Sequence, residues 1–298
     1  MQESLFTRSN GQVVAYFDYG DSENVLFFHH GTPTAGPLSP LIRHYADANN
    51  FRIIEVVRPG YGSSTAIPGR TIDTISEINL EVANAFGIER FGLVGVSGGG
   101  PHALASAHLA ENRCIAQLVI AGLAPFDVSD FDFFAGMTEE GRDDWLLPLT
   151  SMEEFEASLA EKATAMSSYS FEEVKKLLNA DAEDPYSDEV ISAFQAVFKY
   201  SLLNGFLGVK DDYLAFLKPW GFSLDETLMP VQLWTGTEDV NVPQSHSHYL
   251  HGVIPNSELR VIVGKNHSTI FEPAVEEGFR WLREIFESNK PILRPPLA

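Results

Sequence analysis

One serine, Ser97, lies inside the run Gly95-Val96-Ser97-Gly98-Gly99-Gly100-Pro101. Two chemistries ask for glycine at such a place: a backbone cradle for phosphate, and a strained turn that exposes a nucleophile. A phosphate loop carries Lys and then Ser or Thr after its glycines, whereas Gly100 is followed by Pro101 and His102. Gly98, Gly100 and Ala103 imitate a dinucleotide fingerprint loosely. The acidic residue expected about 20 positions on is missing from "AQLVIAG", residues 116–122. The spacing Gly95-x-Ser97-x-Gly99 fits the strained turn. Side chains at the two flanking positions would clash there, and Pro101 falls where a helix tolerates a missing N–H.

A serine hydroxyl needs a base to take its proton and an acid to orient that base. His267, in "IVGKNHSTIFEP", and Asp239, in "LWTGTEDVNVP", each follow a strand-like run, giving the chain order serine, acid, histidine. Glu238 and Asp127 are the alternative acids: the first is one residue away, the second just beyond "AQLVIAG". His30 belongs to a His-Gly turn, and His29 points to the other face of the same strand. His246, His248 and His251 form "HSHYLH", but on a helix positions 246 and 248 lie about 200° apart. No metal site is assigned.

These residues need a scaffold. Short apolar runs at 25–30, 52–58, 90–97, 116–122, 231–236 and 258–264 read as buried, mostly parallel strands. An Asn10-Gly11 hairpin joins two further strands at the N-terminus. Ile72, Ile75, Ile78, Val82 and Phe86 mark a helix over 72–88, and further helices are expected near 244–252 and 272–286. The alternation is that of βαβ units. It is interrupted over 127–222, a segment without strand candidates, which divides the chain into a core of 1–126 and 223–298 and a helical cap of 127–222. The tail 290–298, with three prolines, reads as an extended surface strap.

The motifs "HHGTP", "RPGYGSS", "GVSGGGPHALA", "GTEDVNVP" and "GKNHS" together resemble those of cap-bearing α/β-hydrolases, similar to the bacterial esterase, proline iminopeptidase and C–C hydrolase branch. The resemblance implies an α/β-hydrolase fold: a mostly parallel eight-stranded sheet flanked by helices, with the cap inserted. It implies Ser97 as nucleophile, His267 as base and Asp239 as orienting acid, with the backbone amides of Thr32 and Gly98 as oxyanion donors. Arg58 and Tyr61 would fix a loop beside the site. Phe131, Phe133, Phe134, Trp145, Phe194, Phe198, Phe206, Trp220 and Phe222 make the cap aromatic, and some of them should line an apolar pocket over Ser97. The sequence departs from the pattern at Asn266, where relatives carry Gly before the histidine, and at Thr235.

The formal net charge of −21 repels polyanions, so nucleic acid and anionic membrane are poor partners. The segment 127–222 holds 20 of the 41 acidic residues and 7 basic ones. Solvated helix faces explain this, or a field favouring a cationic or neutral substrate. Cys114, the lone cysteine, allows no internal disulfide. With no export signal or membrane span visible, a cytoplasmic location is expected. The expected activity is cofactor-independent hydrolysis of a small, largely apolar ester or lactone. Proline iminopeptidase, C–C hydrolase and slow-hydrolysing receptor remain as alternatives. The sequence is silent on oligomeric state.

Overall fold

The computed structural model describes residues 2–110, 112–178 and 186–289. The proline-rich tail expected as a strap, and residues 179–185 of the central segment, lie outside this range.

Eight strands form one sheet: β1 (Ser4–Thr7), β2 (Val13–Tyr19), β3 (Val25–His29), β4 (Arg52–Val56), β5 (Phe91–Val96), β6 (Cys114–Ile120), β7 (Val231–Gly236) and β8 (Ser257–Ile262). Their spatial order is β1-β2-β4-β3-β5-β6-β7-β8. The N-terminal hairpin is antiparallel, as is the β2–β4 pair, and every later pairing is parallel. All six strands proposed from the apolar runs form, with ends displaced by about two residues or fewer, the usual uncertainty of strand and helix ends.

Strand side chains alternate between two cores, as a period of two demands. Leu26, Phe28 and Val94 pack with the helices α1 (Pro40–Ala48) and α10 (Phe271–Ser288). Phe27, Phe91 and Leu93 face α2 (Thr74–Ala85) and α3 (Gly99–Leu109). The chain leaves β3 toward α1 and leaves the adjacent β5 toward α3, on the opposite face. Such a reversal opens a crevice at the carboxyl ends of the strands. The His30-Gly31-Thr32 turn and Ser97 end those two strands.

Between β6 and β7 the chain forms five α-helices among the described residues: α4 (Glu139–Thr150), α5 (Met152–Ser167), α6 (Phe171–Leu178), α7 (Asp188–Ser201) and α8 (Leu207–Phe216). Thr138, Ser151 and Ser187 cap α4, α5 and α7 by accepting backbone N–H bonds on their side-chain oxygens. Eight acidic residues occupy the first turns of α4 to α7, where the positive end of each helix stabilises them. Much of the segment's acidity is therefore helix-start chemistry. After β7 comes α9 (Gln244–Val253). Among the described residues no helix is long and apolar enough to cross a membrane.

Candidate active site

Ser97 sits between β5 and α3 with a φ of 53°, in the left-handed region that side chains disfavour. Its amide donates to Ile120 O at 2.8 Å, and its carbonyl accepts from Gly100 N–H at 2.9 Å, which holds the turn at both ends. A Cβ on Gly95 would stand 2.7 Å from Gly99 O and 2.8 Å from the Ala103 Cβ, so this position is closed to any side chain. Gly99 is closed for a different reason from the clash across the turn expected from the motif. A Cβ there would lie 2.1 Å from His29 O, because the start of α3 presses against the end of β3.

The structure brings the sequence-assigned partners together. His267 Nε2 lies 3.0 Å from Ser97 Oγ, and His267 Nδ1 lies 2.7 Å from Asp239 Oδ2. With the buried carboxylate accepting from Nδ1–H, the Nε2 lone pair faces the serine hydroxyl. Asp239 Oδ1 accepts from the amides of Asn241 and Val242 at 2.9 and 2.8 Å, which fixes the carboxylate after β7. Burial by itself lowers the pKa of His267, but the charge and hydrogen bond of Asp239 outweigh it and leave the imidazole raised above its ordinary 6.5. Glu238 turns away, and its carboxylate accepts from Thr237 Oγ1 on the surface. The unusual Asn266 organises the histidine loop: its Oδ1 accepts from the amides of Ser268 and Thr269, both at 3.0 Å.

The turn after β3 packs on Ser97. A Cβ on Gly31 would be 3.6 Å from the Ser97 Cβ, and one on Gly98 would be 2.4 Å from Thr32 Oγ1. Neither the Thr32 nor the Gly98 amide makes a hydrogen bond to another described residue. Arg58 fastens this turn from behind. Its guanidinium donates to His30 O at 2.5 Å, Gly31 O at 2.8 Å and Thr32 Oγ1 at 3.1 Å. His30 accepts the Arg58 amide on Nε2 at 3.1 Å, which gives it a structural place in the turn. His29 contacts Asn79 on the far face, and His246 is buried between the Ala124 amide and Phe133 O.

Two lobes of one cavity meet at Thr32, Ser97, Asn241 and His267. The larger, about 300 Å³, runs under α6 and α7 past Phe194 and Phe198. The smaller, about 260 Å³, is walled by Trp145, Tyr213 and Phe216. Of the aromatic residues picked from sequence, Phe131, Phe133, Trp220 and Phe222 instead pack into the core beneath.

A model of the alpha/beta hydrolase fold family matches residues 24–274. The chain belongs to that family. No curated protein matches the sequence. Among solved structures, an esterase from Exiguobacterium antarcticum is similar with a TM-score of 0.69 at 16% identity, over 96% of this chain and 100% of its own. A bromoperoxidase from Bacillus anthracis reaches 0.71 at 18%, over 96% and 100%. A meta-cleavage product hydrolase from Pseudomonas fluorescens IP01 reaches 0.66 at 18%, over 96% and 98%. At these identities the likeness is one of fold.

Two residues of this alpha/beta hydrolase were missed in the sequence. Asp212, on α8, is fully buried and receives Arg58, Arg70, Tyr61 and Thr32. Burial would raise its pKa, yet the two guanidiniums hold it well below the usual carboxylate range. Glu55, on β4, is 2% exposed and lines the larger lobe. Its Oε1 accepts from the Gly36 amide at 2.9 Å, and no described group bonds to Oε2. Asp212 left no local signal, because its partners Thr32, Arg58, Tyr61 and Arg70 lie 142 to 180 residues away and His102, whose Nε2 stands 3.5 Å from Oδ1, also belongs to a distant stretch. Glu55 did leave one: an acid in the middle of the apolar run "RIIEVV".

Proposed function

We propose that the protein is a serine hydrolase cleaving a small, largely apolar carboxylic ester or lactone through an acyl-enzyme, with the helices α4 to α8 acting as its cap. The observation that carries this reading is the unbroken chain of hydrogen bonds from Ser97 Oγ through His267 to Asp239, at 3.0 and 2.7 Å. His267 takes the serine proton as Ser97 Oγ attacks the carbonyl carbon. The amides of Thr32 and Gly98, free of other partners among the described residues, receive the developing oxyanion. His267 then protonates the leaving oxygen, and water repeats the sequence to release the acid and restore Ser97.

C–C bond hydrolysis is the second reading, favoured by the two lobes meeting at Ser97, which suit a substrate with bulk on both sides of the cleaved bond. Proline iminopeptidase activity has less support. Asp144, the cap acid on the cavity wall, is already paired with Lys162 at 2.5 Å and is not free to hold an amino terminus.

A fluorophosphonate probe should label the wild type and fail on Ser97→Ala, and turnover of p-nitrophenyl esters should fall at least about 10⁴-fold in that variant. Prolyl arylamides and a vinylogous diketone run in parallel separate the three enzyme readings. Ligand-dependent thermal stabilisation with negligible turnover, unchanged by Ser97→Ala, would replace them all with a receptor.

A further inference from the structure

The larger lobe is mostly apolar, and Glu55 is the one carboxyl group among its described lining residues. The strand ladder gives its position. Glu55 pairs with Phe28 on β3, and Phe28 pairs with Val94 on β5, three residues before Ser97. Two strand spacings and three residue rises put the Cα atoms of Glu55 and Ser97 roughly 14 Å apart, and side chains entering the same lobe leave their oxygens roughly 10 Å apart. The hydrogen bond to Glu55 and the Ser97 Oγ–carbon approach together take up about 4 Å of that gap, and the remaining ~6 Å, at about 1.2 Å of extension per chain bond, corresponds to about five or six bonds.

Nothing structural is gained from an acid here. One oxygen accepts the Gly36 amide, while the other makes no bond to a described group and belongs to the cavity wall. Arg58, on the loop that follows β4, gives its donors to Asp212, Thr32 and the two turn carbonyls. Tyr200 of α7 donates to Glu3. A buried polar group left without a partner is costly, and a ligand that supplies the partner recovers that cost as affinity.

Building on the hydrolase reading above, we propose that Glu55 is a specificity-determining residue: it selects substrates whose chain in the larger lobe ends in a neutral hydrogen-bonding group, a hydroxyl or carbonyl, about six bonds from the cleaved carbonyl. Burial pushes the Glu55 carboxyl up to about 8, with the Gly36 amide and Arg58 opposing. The group therefore carries its proton near neutrality and offers an O–H donor as well as an acceptor. A plain alkyl chain fills the same lobe but leaves that donor unmet.

The test compares p-nitrophenyl ω-hydroxyhexanoate with p-nitrophenyl heptanoate, in which a methyl replaces the hydroxyl, and then the monoacetate of butanediol with pentyl acetate, so that either end of the ester can enter the lobe. In one of the two series the wild type should prefer the hydroxyl-ended chain by about tenfold or more in kcat/KM. Glu55→Gln, which keeps a neutral donor and acceptor, should retain the preference. Glu55→Leu should reverse it. The ratio is read within each variant, so a general loss of fold cannot imitate the result. Equal ratios in wild type and Glu55→Leu in both series overturn the assignment while leaving ester hydrolysis intact. If no ester is turned over, the hydrolase reading fails, and thermal stabilisation by ω-hydroxyhexanoic acid against heptanoic acid decides the Glu55 assignment alone: an equal stabilisation of wild type by the two acids overturns it.

Discussion

Asp212 and Glu55 are both acids removed from water near the His30–Thr32 turn, and their surroundings are opposite. Asp212 gathers two guanidiniums, a phenol and a hydroxyl, and stays ionised. Glu55 has one amide and is pushed toward its neutral form. The carboxyl group and its burial are alike in the two cases. What differs is the number of donors the fold brings to it, and this decides whether the acid joins elements together or faces the cavity with bonding capacity to spare.

Three measurements can break or sharpen that contrast. The largest effect is expected for Asp212→Ala, which leaves two buried arginines without their shared partner and should cost about 3 to 5 kcal/mol in denaturant unfolding. A loss below about 1 kcal/mol would mean that the cluster does not hold the fold together. Glu55→Gln should act in the opposite direction. The folded protein keeps the Glu55 proton up to about pH 8, while the unfolded chain releases it near 4.5, so wild-type stability falls as pH rises between the two values. The glutamine variant escapes that fall, and its advantage over wild type should grow by about 2 kcal/mol from pH 5 to pH 7. Parallel pH-stability curves for the two proteins would contradict a neutral Glu55. The smallest effect belongs to Asp239, whose one ionisable partner is charged only when protonated. Because His267 must be neutral to act as base, kcat/KM should rise with pH along a limb centred above 6.5, and a limb at or below that value would deny Asp239 its hold on the imidazole.

The sheet and the cluster of Ser97, His267 and Asp239 are legible in the sequence because both are written locally. Apolar runs of six to eight residues declare strands, and Gly95, Ser97 and Gly99 declare the turn within five positions. Asp239 and His267 each stand a few residues beyond a strand, and the parallel topology then collects such loop residues at one edge. The Asp212 cluster was hidden because it joins residues from three separated stretches, and no periodicity or motif relates an acid on α8 to arginines beyond β4. The resemblance speaks for the Thr32 backbone amide, and the hydroxyl bond to Asp212 at 2.6 Å emerges only with α8 in place. Glu55 was readable as an anomaly. Its use depends on a cavity that forms only when α6 and α7 lie over the sheet.

Arg58 spends one guanidinium on two jobs, holding the turn that carries Thr32 and gripping the Asp212 carboxylate of the helical insertion. The insertion is therefore not an interchangeable cassette. Any attempt to graft another lid onto this sheet, by recombination or by design, has to bring an acid to the position of Asp212. Without it, a change of specificity would arrive together with a loosened His30–Thr32 turn.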